Sequence, residues 1–176
     1  MKNKLRGICL LISCFLIISV FASCESKEIT SNELSTVKLD VTKMTANDII
    51  GELKSAGFPI NKVIITTAEN DVNKLLGRPN QYTSKINFSD SRLEQYDEDN
   101  NPVGGTIEVF DNKEDAKSRK DYVETIEKKV SAFSQYIYLY KNVLVRLDHD
   151  LTPDQAKVYE NAFNKLQNGE KATYNE

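Results

Sequence analysis

All three cysteines of this chain, Cys9, Cys14 and Cys24, lie within its first 24 residues. Whatever folds beyond Cys24 therefore has no disulfide, no thiol nucleophile and no thiolate metal site. It must be held together by packing alone. Such a chain needs well-defined helices and strands that share one apolar core.

The N-terminus carries its own pattern. Lys2, Lys4 and Arg6 precede an apolar run from Ile8 to Phe21, and Ala22-Ser23-Cys24 follow. Cations before an apolar run and a small-residue pair after it are the parts of a secretory signal. The run is 14 residues long, short of the roughly 20 that a membrane-spanning helix needs. Beyond Cys24 the chain turns polar at once, as Glu25-Ser26-Lys27-Glu28. This segment resembles a bacterial lipoprotein signal peptide ending in a lipobox. Phe21 stands where that family usually has leucine and keeps the position apolar. The resemblance implies that residues 1–23 are a signal peptide and that Cys24 is lipidated, carrying a diacylglycerol and palmitate-like acyl chains. It places the mature protein on the extracytoplasmic face of the cell membrane. One acyl chain binds a bilayer only marginally, and two or more hold durably.

Removing residues 1–23 takes away three cations and no acid, so the formal charge moves from −3 to −6. A mildly acidic domain does not attract nucleic acid, which demands basic patches. With 23 of its 176 residues gone the chain keeps 153, enough for one domain with a proper core.

Residues 24–43 are rich in Ser, Thr, Glu and Lys and are expected to form a flexible tether. Leu34, Val37, Leu39 and Val41 leave open a short extended piece that ends the tether early. A single α+β domain is expected over 44–168, with a polar tail over 169–176. Thr45 offers a helix N-cap with Asp48 in the first turn, Ile49, Ile50 and Leu53 are at helical spacing, and Gly57 and Pro59 close the segment. Val63 to Thr67 reads as a strand, Asp71 to Leu76 as a short helix, and Tyr82 to Ser89 as a strand with Tyr82, Ser84, Ile86 and Phe88 on one face. A loop from Asp90 to Gly105 leads to a strand over Thr106 to Phe110. Asp111 and Glu114 resemble a capping box for a helix whose apolar stripe is Ala116, Val123, Ile126 and Val130. Tyr136 to Leu147 reads as a hairpin around Lys141-Asn142. Thr152-Pro153-Asp154-Gln155 starts a final helix with Ala156, Tyr159, Phe163 and Leu166 inward and Asn168-Gly169 at its end. The expected architecture is a mainly antiparallel sheet of about five strands with two or three helices packed on one face.

Few constellations suggest chemistry. His149 lies between Asp148 and Asp150, but neighbours on a strand point apart and no second histidine exists to complete a typical transition-metal site. Asp97, Asp99, Asn101 and Glu108 match positions 1, 3, 5 and 12 of a calcium loop, yet position 6 is Pro102 where the sharp turn needs glycine. Tyr136, Tyr138 and Tyr140 share one strand face. Hairpin arithmetic pairs them with Leu147, Val145 and Val143, which points to core rather than to an aromatic platform. The segment from Asn70 to Lys85 sets Arg78, Gln81, Tyr82 and Lys85 among glycine and proline and could present groups to a ligand, facing the acidic loop with Asp97 and Asp99. These six residues are the candidate binding residues. No cofactor and no catalytic residue is expected.

The stretches Leu75-Leu76-Gly77-Arg78-Pro79-Asn80-Gln81-Tyr82-Thr83-Ser84-Lys85, Gly104 to Phe110, and Leu151-Thr152-Pro153-Asp154-Gln155-Ala156 resemble small uncharacterised lipoproteins of Gram-positive bacteria. That resemblance implies an extracytoplasmic location and brings no catalytic residues with it. The expected function is a membrane-tethered binding or accessory module, not an enzyme, whose partner is a cell-envelope protein or a wall polymer. Two alternatives remain. One is a hydrolase using paired carboxylates from Asp90, Glu94, Asp97, Asp99 and Glu108. The other is an inhibitor or immunity protein that presents the Asp90–Gly105 loop to an exported enzyme.

Overall fold

A computed structural model describes residues 38–130 and 134–175. Cys24 and the signal segment lie outside the described residues. Among these residues no helix is long and apolar enough to cross a membrane.

After a single 3₁₀ turn at Val41–Lys43, the elements run α1 (Ala46–Ser55), β1 (Ile60–Ile65), β2 (Ser84–Asp90), β3 (Gly104–Val109), α2 (Lys113–Glu127), β4 (Gln135–Tyr140), β5 (Val143–Asp148) and α3 (Pro153–Gln167). The five strands form one antiparallel sheet in the order β1-β2-β3-β5-β4. The fold is α+β, as composition and periodicity imply.

Local chemistry explains most boundaries. Thr45 caps α1 by accepting from the Asp48 amide while the Asp48 carboxylate accepts from the Thr45 amide. Thr152 and Gln155 make the same reciprocal box at α3, with Pro153 in the first turn. Gly57, at φ +89°, supplies the left-handed residue that ends α1. The cap of α2 is Asn112, one residue later than expected, because its side-chain oxygen accepts from the Asp115 amide at 2.9 Å. This helix stops at Glu127, so Val130 is exposed rather than part of the buried stripe.

Alternate residues of each strand face opposite sides of the sheet. Ile86, Phe88, Ile107, Val109, Val143, Val145 and Leu147 face one side. There they meet Ile49, Ile50 and Leu53 of α1 and Tyr159, Phe163 and Leu166 of α3. The tyrosine row belongs to this core. Tyr136, Tyr138 and Tyr140 pair with Leu147, Val145 and Val143, and Tyr140 stacks on Phe163 with ring centres 5.3 Å apart. Two helices thus share the face expected of them. The third, α2, lies across β4 and β5 on the other side, where Ala116, Leu144, Phe110 and Tyr82 form a second, smaller cluster.

The domain is wider than 44–168. Val41 is buried in the main core, and the Leu39 amide donates to the Gly169 carbonyl, so the folded domain takes in Leu39 and Val41. Past α3, Ala172 is buried and Tyr174 packs edge-on against Phe58, so residues 169–175 are docked, not a free tail.

The clearest departure is at 71–76. No helix forms. The Asp71 carboxylate accepts from the amides of Asn73, Leu75 and Leu76 and from the Tyr82 hydroxyl. A side chain that satisfies its own neighbours' amides competes with helical hydrogen bonding. Lys74, at φ 54°, breaks the right-handed path as well. Tyr82 precedes β2 and turns to the smaller cluster, away from Ile86 and Phe88.

Candidate functional site

On the second face of the sheet α2 packs mainly over β4 and β5, and its Arg119 reaches Glu108 of β3. On the rest of that face the register places Lys85 beside Glu108, and Asn87 beside Thr106 beside Arg146. Lys85, Asn87, Thr106 and Arg146 floor a groove of about 600 Å³, with Glu108 buried beside them. Ile64 at the end of β1 and the turn Asn70–Asn73 form one wall. Asp97 and Asn101–Val103 form another, and Gln135 and Asp148 close it at the β4–β5 side. The segment leading into β2 and the acidic loop therefore do face each other across a concavity. The lining is dominated by amides, hydroxyls and charges, with Ile64, Val72, Pro102 and Val103 as its apolar parts.

Glu108 organises the floor. Its side chain is fully buried. Three cations surround it: Arg119 at 3.3 Å to each carboxylate oxygen, Arg146 at 3.4 Å and Lys85 at 3.8 Å. Burial pushes the Glu108 carboxyl up, and the charges of Arg146, Arg119 and Lys85 more than offset it, so it is held below the usual carboxylate range. The opposite holds for Lys85. Burial drives its pKa down, Glu108 draws it back, and Arg146 and Arg119 lower it again, leaving it below the ordinary lysine value. One buried negative charge is thus set against three positive ones.

Hydrogen bonding is as unbalanced as charge. Glu108 stands beyond hydrogen-bond distance of the Lys85 ammonium, which also lies over the Tyr82 ring, 5.2 Å from its centre. Among the described residues the Arg146 Nε is buried without a partner. Its other contacts, to Gln135 Oε1 at 3.3 Å and Glu108 at 3.4 Å, are long.

The six candidate binding residues separate. Lys85 and Asp97 line the groove. Tyr82 does not present its ring to a ligand: it is fully buried, and its hydroxyl donates to Asp71 at 2.7 Å. Arg78 is exposed in the turn after Gly77, outside the groove lining. Gln81 borders a separate hollow of about 380 Å³ with Ser118, Arg119 and Tyr122. Asp99 is exposed in its loop and does not line the groove. Asn87, Thr106 and Arg146 escaped sequence reasoning. Alternation along β2 and β3 does put Lys85, Asn87, Thr106 and Glu108 on one face, but the pairing that adds Arg146 is a tertiary fact.

The calcium-loop pattern is used differently. The Asp97 carboxylate accepts from the Asn101 backbone amide at 2.7 Å and from its side-chain amide at 2.9 Å, closing the loop tip. Glu108, the twelfth position, is committed to the cationic cluster. His149 departs from expectation in another way. Asp148, His149 and Asp150 converge, with ligand atoms within 4.8 Å of one another. The convergence comes from a tight turn in which the Asp150 amide donates to Asp148, and His149 and Asp150 are exposed.

Two of the carboxylates considered for hydrolysis, Asp90 and Glu108, do not meet. Asp90 is buried, takes two hydrogen bonds from the Arg92 guanidinium at 2.9 and 2.8 Å, and accepts from Tyr159 at 2.8 Å. That places it against α3, on the face of the sheet opposite Glu108. No protein-family model matches the chain, and no curated protein or solved structure is significantly similar to it.

Proposed function

We propose that this chain is a lipid-anchored extracytoplasmic lipoprotein whose domain binds a wall polymer in the groove behind β2 and β3. One observation supports the binding part of this reading above the others. The fold leaves part of one sheet face without a helix and lines it with polar side chains between two loops. The amide-rich lining favours a hydroxylated or amide-bearing chain over an apolar protein surface. The location part rests on the lipobox-like ending Phe21-Ala22-Ser23-Cys24.

The hydrolase alternative loses its support, because Asp90 and Glu108 lie on opposite faces and both are tied up in ion pairs. The inhibitor alternative needs the Asp90–Gly105 loop as a free probe, whereas Asp97 and Asn101–Val103 of that loop serve here as a groove wall.

Cosedimentation of the full chain with purified, protein-free wall material tests the proposal. The wild type is expected to pellet with the wall, and Asn87→Trp, which fills the floor, to remain in the supernatant. Equal pelleting of the two would remove the groove from the account.

A further inference from the structure

Three cations stand within 4 Å of the single buried Glu108 carboxylate, and two of them, Lys85 and Arg146, line the groove. Stability does not call for three cations around one buried carboxylate. A single bidentate arginine already meets the hydrogen-bonding capacity of one carboxylate edge. Each further buried cation costs desolvation and repels the others. Lys85 bears this cost most plainly. Its side chain is only 9% exposed, among the described residues its ammonium makes no hydrogen bond, and it lines the groove floor. Arg146 also lines the floor, with its buried Nε unpartnered. The strands on either side of β3, β2 and β5, thus bring an ammonium without a hydrogen bond and a loosely held guanidinium to the same cavity.

From this geometry we infer that the groove floor is an anion subsite, in which Lys85 and Arg146 together receive one carboxylate or phosphate group of the ligand. The inference rests on the groove being the binding site and names the chemistry the groove selects. An oxyanion bridging the two would supply acceptors for the Lys85 hydrogens and for the terminal Arg146 nitrogens, whose present contacts to Gln135 and Glu108 are long.

The walls narrow the ligand class further. Asp97 and Asp148 border the groove, and a chain without residues 1–23 is net acidic. A densely charged polyanion is repelled at that rim. A mostly neutral, hydroxylated chain that carries isolated anionic groups is not: its neutral stretches meet Asn70, Asn73, Asn101 and Gln135, and one anion reaches the floor. Wall polymers offer two sources of that anion, a sugar carboxylate and a polyol phosphate.

Matched pairs of small probes separate these possibilities. Glucuronate against glucose reports a carboxylate, and glycerol 3-phosphate against glycerol reports a phosphate. Each is titrated into the isotope-labelled full chain in detergent micelles, following the amide signals of Lys85, Asn87, Thr106 and Arg146. The charged member of one pair is expected to bind at least about tenfold more tightly than its neutral counterpart, and the preferred pair identifies the source. Lys85→Met is expected to abolish the preference and its salt dependence, and Lys85→Arg to retain it. Circular dichroism verifies that each variant is folded, and Arg146→Met gives a second test should Lys85→Met not fold. Equal binding of charged and neutral probes, or a preference that survives both methionine variants, overturns the anion subsite while the groove itself stands. If no probe shifts any groove signal, the subsite and the groove reading fall together.

Discussion

The Tyr159 hydroxyl donates to Asp90 Oδ2 at 2.8 Å, joining the middle of α3 to the end of β2 inside the core. Both residues are fully buried, and the Arg92 guanidinium donates to both carboxylate oxygens. Burial and the adjacent Asp90 charge push the tyrosine hydroxyl well above its ordinary pKa, so it remains a donor throughout the accessible range. A hydrogen bond to a buried charged group contributes about 1.5–3 kcal/mol. Tyr159→Phe keeps the ring packing on Phe58 and Phe88 and is expected to lower unfolding free energy by about 2 kcal/mol. Urea titration monitored by circular dichroism measures this, and an unchanged midpoint would show that Asp90 is satisfied without the tyrosine.

The acid limb of stability follows from Glu108 and Asp71. Burial raises both carboxyls, but the surrounding cations at Glu108 and the hydrogen bonds from Leu76, Tyr82, Leu75 and Asn73 at Asp71 depress them on balance. A carboxyl depressed in the folded state stabilises above its unfolded pKa, about 4, and that contribution fades as pH falls through the folded value. Urea midpoints are therefore expected to be level from pH 5.5 to 7 and to drop steadily below about pH 4. Glu108→Gln is expected to cost about 3–5 kcal/mol at pH 7, because three cations lose their counter-charge, and to flatten the acid limb. A wild type whose midpoint does not move between pH 6 and pH 3 would contradict this.

Asp71 is the pin of the segment that enters β2. Asp71→Asn keeps the shape but turns one acceptor into a donor that faces backbone amides. The expected loss is about 2 kcal/mol. Hydrogen exchange at the Leu75 and Leu76 amides is expected to accelerate strongly, while exchange in β2 and β3 remains slow. Uniform acceleration across the sheet would mean that the turn and the sheet open as one unit.

Much of this fold is legible in the sequence, for reasons that differ by element. Both capping boxes, Thr45 with Asp48 and Thr152 with Gln155, are local signals, and the structure uses both. The β4–β5 register follows from a two-residue turn and alternation. Residues 71–76 misled because their apolar pair, Leu75 and Leu76, suits a helix, whereas Asp71 offers the amides a closer acceptor. The site was legible only in part. Lys85 and Asp97 stand in a segment and a loop that looked poised to face each other, and they do. Tyr82 looked like a ligand contact because its partner, Asp71, is eleven residues away. Arg146 was hidden because it reads as one charge in an apolar hairpin, and only the pairing of β3 with β5 sets it beside Thr106 and next to Glu108.

The proposed lipid attachment at Cys24 has a direct consequence for location. In the cell of origin, Cys24→Ser is expected to prevent lipidation and to move the protein from the membrane fraction to the soluble extracytoplasmic fraction. Fractionation with immunodetection reads this. Unchanged membrane retention would mean that something other than acyl chains holds the protein there.

The most direct test concerns Lys85 and what it is for. A lysine that merely braces Glu108 adds to stability, and its loss costs free energy. A lysine kept for a ligand is a burden on the empty fold, since burial and the adjacent Arg146 and Arg119 disfavour its charge. The measurement is the unfolding free energy of Lys85→Met against wild type, in urea at pH 7 and low ionic strength. A groove built to receive an anion predicts a variant at least as stable as the wild type; a variant less stable by more than about 1 kcal/mol would make Lys85 a structural brace and contradict the central claim.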